Sequence, residues 1–207
     1  PSTGKPWSSK KLPECYDDAA KRFGWSKRKP EPRSMRDGRW LVGYGMATAT
    51  YPAHRMKAQA SATLNVDGTY TVRSGTQDIG TGSYTIFTQI AADALGVPME
   101  RVRFELGDTR LPKAPVSGGS MTAASVGPAV RKACLALKEK IAAGARAPVE
   151  ATGEDAPATD DEEKKTHAER SFGAVFVEAR VDESLGIIRI PRVVATYSVG
   201  RVLNAKT

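Results

Sequence analysis

Ser74 to Ser83, Ser-Gly-Thr-Gln-Asp-Ile-Gly-Thr-Gly-Ser, is the stretch whose residue types can do chemistry. Gly75, Gly80 and Gly82 can take backbone angles closed to other residues and carry no side chain to block a close approach. A strand-like run, Tyr70 to Arg73, precedes this loop, and a helix-like run, Tyr84 to Leu95, follows it. Free backbone N–H groups delivered to the start of a helix suit an anion such as a phosphate or pyrophosphate. The plainer reading is a strand-to-helix turn capped by Ser83. The loop is not a Walker loop, because no Lys-Ser/Thr pair follows the last glycine. Nor is it a dinucleotide fingerprint, because Gly80-Thr81-Gly82 lacks the third glycine at the right offset.

Pro112 to Ser125 repeats the pattern with Ser117-Gly-Gly-Ser120 and Thr122-Ala-Ala-Ser125. A short strand, Val102 to Leu106, comes before it. A helix comes after it, with Val126, Val130, Cys134, Leu137 and Ile141 in register. Pro128 is expected in the first turn of that helix, where a missing N–H costs nothing. Two such units are consistent with two helix N-termini facing one extended, phosphate-bearing ligand. They are also consistent with a repeated packing unit that needs small residues where helices cross a sheet.

Other site chemistry is poorly supplied. Cys15 and Cys134 each lie alone in an expected helix, and His54 and His167 are isolated, which argues against zinc-type spacing and a His-based triad. The 207 residues suffice for one large domain or two small ones, and 40% are hydrophobic, as in an ordinary globular protein. No apolar run approaches the roughly 18 residues that would span a membrane. An opening of Pro-Ser-Thr-Gly-Lys without Met reads as a fragment or a processed product. Residues 1 to 57 carry thirteen Lys/Arg against five Asp/Glu, which accounts for the whole formal charge of +8. This arm matches no nucleic-acid motif. It reads as a solvated basic surface or one facing an anionic partner or cofactor.

The remaining elements follow from periodicity and turn residues. Leu12 to Phe23 reads as a helix ended by Gly24, and Trp25 to Gly38 as a polar linker. Trp40 to Thr50 and Ala58 to Asn65 read as strands, with a hairpin turn at Asp67-Gly68. Gly144 to Arg170 has almost no large apolar residue and reads as a flexible linker. Phe172 to Val181 and Ile187 to Ser198 read as paired strands, with Pro191 marking an edge or a bulge. The expected division is 1–39, an N-terminal helix and basic linker; 40–143, a cofactor-loop region; 144–170, the linker; and 171–207, a hairpin region completing the same domain. The class is α+β: mixed sheets, with helices following small-residue loops.

Four ordered strings, Ser74 to Gly82, Ser117 to Gly127, Ser171 to Asp182 and Val199 to Asn204, resemble the large subunit of the xanthine dehydrogenase and aldehyde oxidase family. In style the match is to the bacterial three-subunit aldehyde oxidoreductases. The resemblance implies part of a molybdenum-cofactor-binding domain, with molybdopterin in the cytosine dinucleotide form. By carry-over, Gly80, Thr81 and Gly82 contact the pterin or the metal's oxygen side. Thr122, Ala123, Ala124 and Ser125 contact the phosphate or pterin, and Asn204 and Thr207 begin a third contact segment. This chain has Ala205 where family members often have Pro.

The resemblance further implies that no side chain ligates the metal. FAD and [2Fe-2S] clusters belong to partner subunits, namely an FAD-binding subunit and an iron–sulfur subunit. The substrate is a small aldehyde or N-heterocycle. The expected location is cytoplasmic, with periplasmic export alongside a partner subunit as the second reading. The family's base is a Glu in a Gly-x-Gly-Glu segment near its C-terminus. The only Gly-Glu pair here is Gly153-Glu154 in the expected linker, so no catalytic residue is assigned. Glu105, Asp108 and Glu178 are the fallback bases. The functional alternative from another class is a non-catalytic nucleotide- or nucleic-acid-binding module.

Overall fold

The computed structural model describes residues 4–157 and 166–200. In chain order the elements are α1 (Leu12–Phe23), β1 (Arg36–Asp37), β2 (Trp40–Pro52), β3 (Ala58–Leu64), β4 (Tyr70–Arg73), α2 (Ser83–Leu95), β5 (Val102–Glu105), α3 (Thr122–Ala142), β6 (Val149–Asp155), β7 (Arg170–Asp182) and β8 (Ile188–Ser198). They form two units, one from residues 1–53 and 162–207, the other from 54–161.

In the first unit a sheet of order β1-β2-β7-β8 carries α1. Cys15, Ala19 and Phe23 recur every four residues, so they share the buried stripe of the helix. They pack on Ala174 and Phe176. Pro13 sits in the helix's first turn, and Gly24, at φ +75°, closes it by donating its N–H to Ala20 and Lys21. The buried Glu178 is held by Arg180 at 2.8 Å and Arg192 at 3.1 Å, and Arg192 also lies 4.2 Å over the Phe23 ring. Asp182 accepts the N–H groups of Ser184 and Leu185 and so shapes the β7–β8 turn. Arg39 Nε stands 2.9 Å from its other oxygen but out of line for a hydrogen bond, so that contact is an ion pair only. Pro191 lies on the edge strand β8, at the bulge opposite Glu178 and Arg180, as its missing N–H requires.

The second unit has a sheet of order β5-β4-β3-β6, with α2 and α3 on one face. Ala58, Ala60, Ala62, Val72, Phe104 and Ala151 meet the helices. β4 and β5 are parallel, with α2 in the crossover between them.

Several expectations change. Residues 149–155, inside the expected linker, form β6 on the sheet edge. The segment lacks large apolar residues because there is no room for them. A Cβ on Gly153 would collide with backbone atoms of Ala133 and Ala129 on α3. The β7–β8 hairpin pairs with β2, which falls within the expected 40–143 region and belongs to the first unit. The second helix starts at Thr122, so Pro128 lies inside it and not in its first turn. The proline leaves the Ala124 carbonyl without its helical donor, and exposure of Ala124 lets water take that place. Part of the basic arm is paired locally: Arg36 with Glu183, Arg39 with Asp182, Arg55 with Asp155 and Lys57 with Glu154.

Candidate functional site

Because β4 and β5 are parallel neighbours, their C-terminal ends open at the same sheet edge. That edge is where open α/β sheets place ligands. The loop after β4 leads into α2 and the loop after β5 leads into α3. The two loops are sewn together. Gly75 N donates to Pro112 O at 2.7 Å, and Gly107 N donates to Thr76 O at 2.8 Å. Ser117 N donates to Gln77 Oε1 at 2.9 Å, and Ser117 Oγ donates to Gln77 O at 2.8 Å. Gly75 is a glycine for this closeness: a Cβ there would stand 3.0 Å from Pro112 O.

In the first loop several donors are already taken. Asp78 lies inside it, and its Oδ1 accepts the N–H groups of Gly80 at 2.8 Å and Thr81 at 3.0 Å. Its Oδ2 accepts Tyr84 N, in the first turn of α2, at 3.3 Å. The Gly80 bond, followed by those of the neighbouring amides, holds the Asp78 carboxyl below the usual range. The chain's own carboxylate therefore competes with any added anion for these donors. Ser83, expected as the cap, is instead a buried helical residue, and Gly82 occupies the N-cap at φ +79°. Sequence reading missed Asp78, although an Asp two residues before a glycine is the signature of an Asx turn.

The second loop differs. Gly119 and Ser120 both have left-handed φ, +59° and +54°, and turn the chain into α3. The N-cap Met121 supplies no side-chain bond, and the first turn holds no acidic residue. The N–H groups of Thr122, Ala123 and Ala124 have no acceptor among the described residues. Ala123 and Ala124 are exposed. This helix end thus presents open donors and the positive end of its dipole.

The expected contact residues divide accordingly. Gly80, Thr81 and Gly82 are exposed on the first loop, and a Cβ at either glycine would meet nothing within 4 Å. Thr122, Ala123 and Ala124 line the open turn. Ser125 does not: it is fully buried, and its Oγ accepts Met56 N at 3.0 Å. Asn204 and Thr207 lie outside the described residues.

None of the fallback bases stands free. Glu105 pairs with Arg73 at 2.7 Å and Arg103 at 3.2 Å. Hydrogen bonds from the Arg110 side chain and backbone push Asp108 down to about 2. Glu178 is held by two arginines. Glu154, of the Gly-Glu pair, bonds Lys57 and Gln59. Among the described residues no group of three His, Cys, Asp or Glu could hold a metal. A cavity of about 670 Å³ opens on the polar sheet face, lined by Arg73, Arg110 and Lys113 among others, and excludes residues 80–82 and 122–125. We place the site at the loop junction, because the open helix turn and bare glycines are there.

Comparison with known proteins identifies the family. A family model described as a molybdopterin cofactor-binding domain matches residues 18–160, and the chain belongs to that family. The aldehyde oxidoreductase molybdenum-binding subunit PaoC of Escherichia coli strain K12 is 36% identical over 226 residues, covering 97% of this chain and 31% of the relative. The xanthine dehydrogenase molybdenum-binding subunit of Escherichia coli O157:H7 is 31% identical over 246 residues, covering 99% and 33%. The chain spans about a third of the length of these curated relatives. The fold matches the aldehyde oxidoreductase from Desulfovibrio gigas with a TM-score of 0.75 at 24% identity, over 94% of this chain and 24% of that one. It also matches quinoline 2-oxidoreductase from Pseudomonas putida 86 with a TM-score of 0.70 at 16% identity, over 90% and 30%.

Proposed function

We propose that the loop junction holds the molybdenum cofactor of a molybdenum hydroxylase large subunit, and that the chain is about a third of that subunit. The carrying observation is the contrast between the two helix ends: the Asp78 carboxylate folds back onto the one on α2, and no carboxylate stands in the first turn of α3. A pyrophosphate-bearing pterin fits this pair. The amides of Thr122, Ala123 and Ala124 would take the phosphate. Gly80, Thr81 and Gly82 would lie along the pterin, where two bare glycines leave the approach clear. Asn204 and Thr207 would begin a third contact. When bound, the cofactor supplies the redox centre for oxidative hydroxylation of an aldehyde or N-heterocycle.

The chain's own part is binding and orientation. Gln77 and Ser117 fix one loop against the other, and Asp78 keeps the first loop closed so that an added anion is directed to α3. No base is assigned within these residues, because each acidic candidate is engaged by cations. FAD and [2Fe-2S] clusters would sit on partner subunits, since two buried cysteines cannot ligate a cluster. Among the described residues no helix is long and apolar enough to cross a membrane. The proposed location is cytoplasmic, with periplasmic export alongside a partner as the second reading.

The test is chemical extraction of the full-length subunit. Molybdenum and pterin at about one per polypeptide, with cytidine monophosphate released on hydrolysis, are expected. Pterin without a nucleotide would overturn the dinucleotide form. Absence of both molybdenum and pterin from folded, active protein would overturn the reading itself.

A further inference from the structure

The cavity of about 670 Å³ lies on the face of the second unit's sheet turned away from α2 and α3. Strand alternation sends Ala58, Ala60 and Ala62 to the helices, and Gln59, Ser61 and Thr63 to the other side. Register builds the cavity floor: Ser61 lies between Arg73 on β4 and Thr152 on β6. Ser61 is only 3% exposed, yet its hydroxyl has no hydrogen-bond partner among the described residues, and neither has that of Thr152. The charges around this floor are sorted. Arg73 and Arg110 are already paired with Glu105 and Asp108, and Glu154 with Lys57. Lys113 and Glu150 also line the cavity, and their charged groups have no partner among the described residues. They stand on opposite sides of β3. Gln59 donates its N–H to Lys113 O at 2.7 Å and accepts the Ser74 hydroxyl on its carbonyl at 2.9 Å, which puts Lys113 on the β4 side. Glu150 is on β6, opposite Thr63. Four residues along β3 and two strand spacings across it set the backbones of Lys113 and Glu150 roughly 16 Å apart.

We infer that this cavity binds a short zwitterionic peptide of about two or three residues. Its ammonium lies on Glu150, its carboxylate on Lys113, and its amides over the Ser61 and Thr152 hydroxyls. The length follows from the span. Once a lysine and a glutamate side chain lean in from either end, the gap left is that of two or three extended residues, at about 3.4 Å each. The volume is that of an ordinary small-ligand site. A plain anion is disfavoured, because Glu150 and Glu154 face the cavity from β6. A plain cation is disfavoured by Lys113 and the two arginines beside it. Leu111 and Pro112 add an apolar stretch of wall, which suits small apolar side chains. None of residues 80–82 or 122–125 lines the cavity, so its ligand is independent of the cofactor.

The experiment is calorimetric titration of the full-length subunit with trialanine at pH 7, with molybdenum content measured on the same sample. Saturable binding is expected. N-acetyl-trialanine lacks the ammonium and trialanine amide lacks the carboxylate, and each is expected to bind at least about tenfold more weakly. Glu150→Gln should erase the discrimination against the acetylated peptide alone, and Lys113→Gln that against the amide alone. Both side chains are exposed, so neither substitution disturbs the core. No saturable binding of trialanine, or capped peptides that bind as tightly as trialanine, would overturn the inference. So would 6-aminohexanoate binding as tightly as trialanine, since it carries the same end charges without the amides. Trialanine bound by a molybdenum-free subunit would uphold the peptide site and count against the cofactor reading. A molybdenum-loaded subunit that does not bind trialanine would do the reverse.

Discussion

Gln77 and Ser117 hold each other twice, side chain to backbone amide at 2.9 Å and hydroxyl to carbonyl at 2.8 Å. These bonds join residues 40 positions apart and set one glycine loop against the other. Replacing Gln77 with Ala removes the amide's acceptor but leaves the hydroxyl bond in place. The expected stability loss is about 0.5–1.5 kcal/mol, typical of one neutral hydrogen bond. Cofactor retention by the full-length subunit is expected to fall by more than that loss explains, because the loops no longer share one geometry. Metal content and urea midpoint, measured on one preparation, separate the two effects.

Asp78 gives a pH prediction whose sign follows from its bonds. The amides of Gly80, Tyr84, Gly82 and Thr81 lower its folded-state pKa. Its contribution is therefore present above the unfolded value, about 3.9, and is lost as pH falls through the lower folded value. The stability gap between wild type and Asp78→Asn is expected to shrink between pH 5 and pH 3. A gap that widens on acidification would refute the assignment. Asp78→Ala should also weaken cofactor retention. Tighter retention would show that the first loop is an anion cradle masked by its own carboxylate.

Two glycines predict different penalties. Gly153→Ala pushes a Cβ into the α3 backbone, which cannot move as a flexible side chain can, and should cost at least about 1–3 kcal/mol. Gly80→Ala meets open space but must hold φ +95°, at roughly 1–2 kcal/mol. Denaturant titration of both variants should rank Gly153→Ala as the more damaging. The reverse order would contradict the packing of β6 on α3.

These positions also show what sequence could reveal. α1, β4 and α2 were legible because their apolar residues repeat at the helix or strand period and glycines stop both helices. β6 was not, because close packing on α3 demands small residues, which in composition look like a linker. The start of α3 was misplaced because Thr122, Ala123 and Ala124 carry no apolar stripe to signal a helix. The paired loops were visible as strings of small residues. Their inequality was not, since it depends on where the Asp78 carboxylate folds back.

The cysteines should be silent. Burial pushes the Cys134 thiol up to about 12, and burial, then Glu14 and Asp18, raises Cys15. At pH 8 a thiol reagent is expected to label neither in the native chain and both after denaturation. One rapidly labelled native thiol would contradict the core assignment.

The most direct measurement is cofactor content of an Ala123→Asp full-length subunit. Ala123 is exposed in the open first turn of α3, which holds no acidic residue. A carboxylate there complements the helix dipole, so stability should hold or rise by about 0.3–1 kcal/mol. The same carboxylate occupies the place proposed for the phosphate, so molybdenum and pterin should fall at least tenfold relative to wild type. Loss of cofactor without loss of fold is the predicted result. A stable variant that keeps wild-type molybdenum and pterin would contradict the placement of the anion at α3.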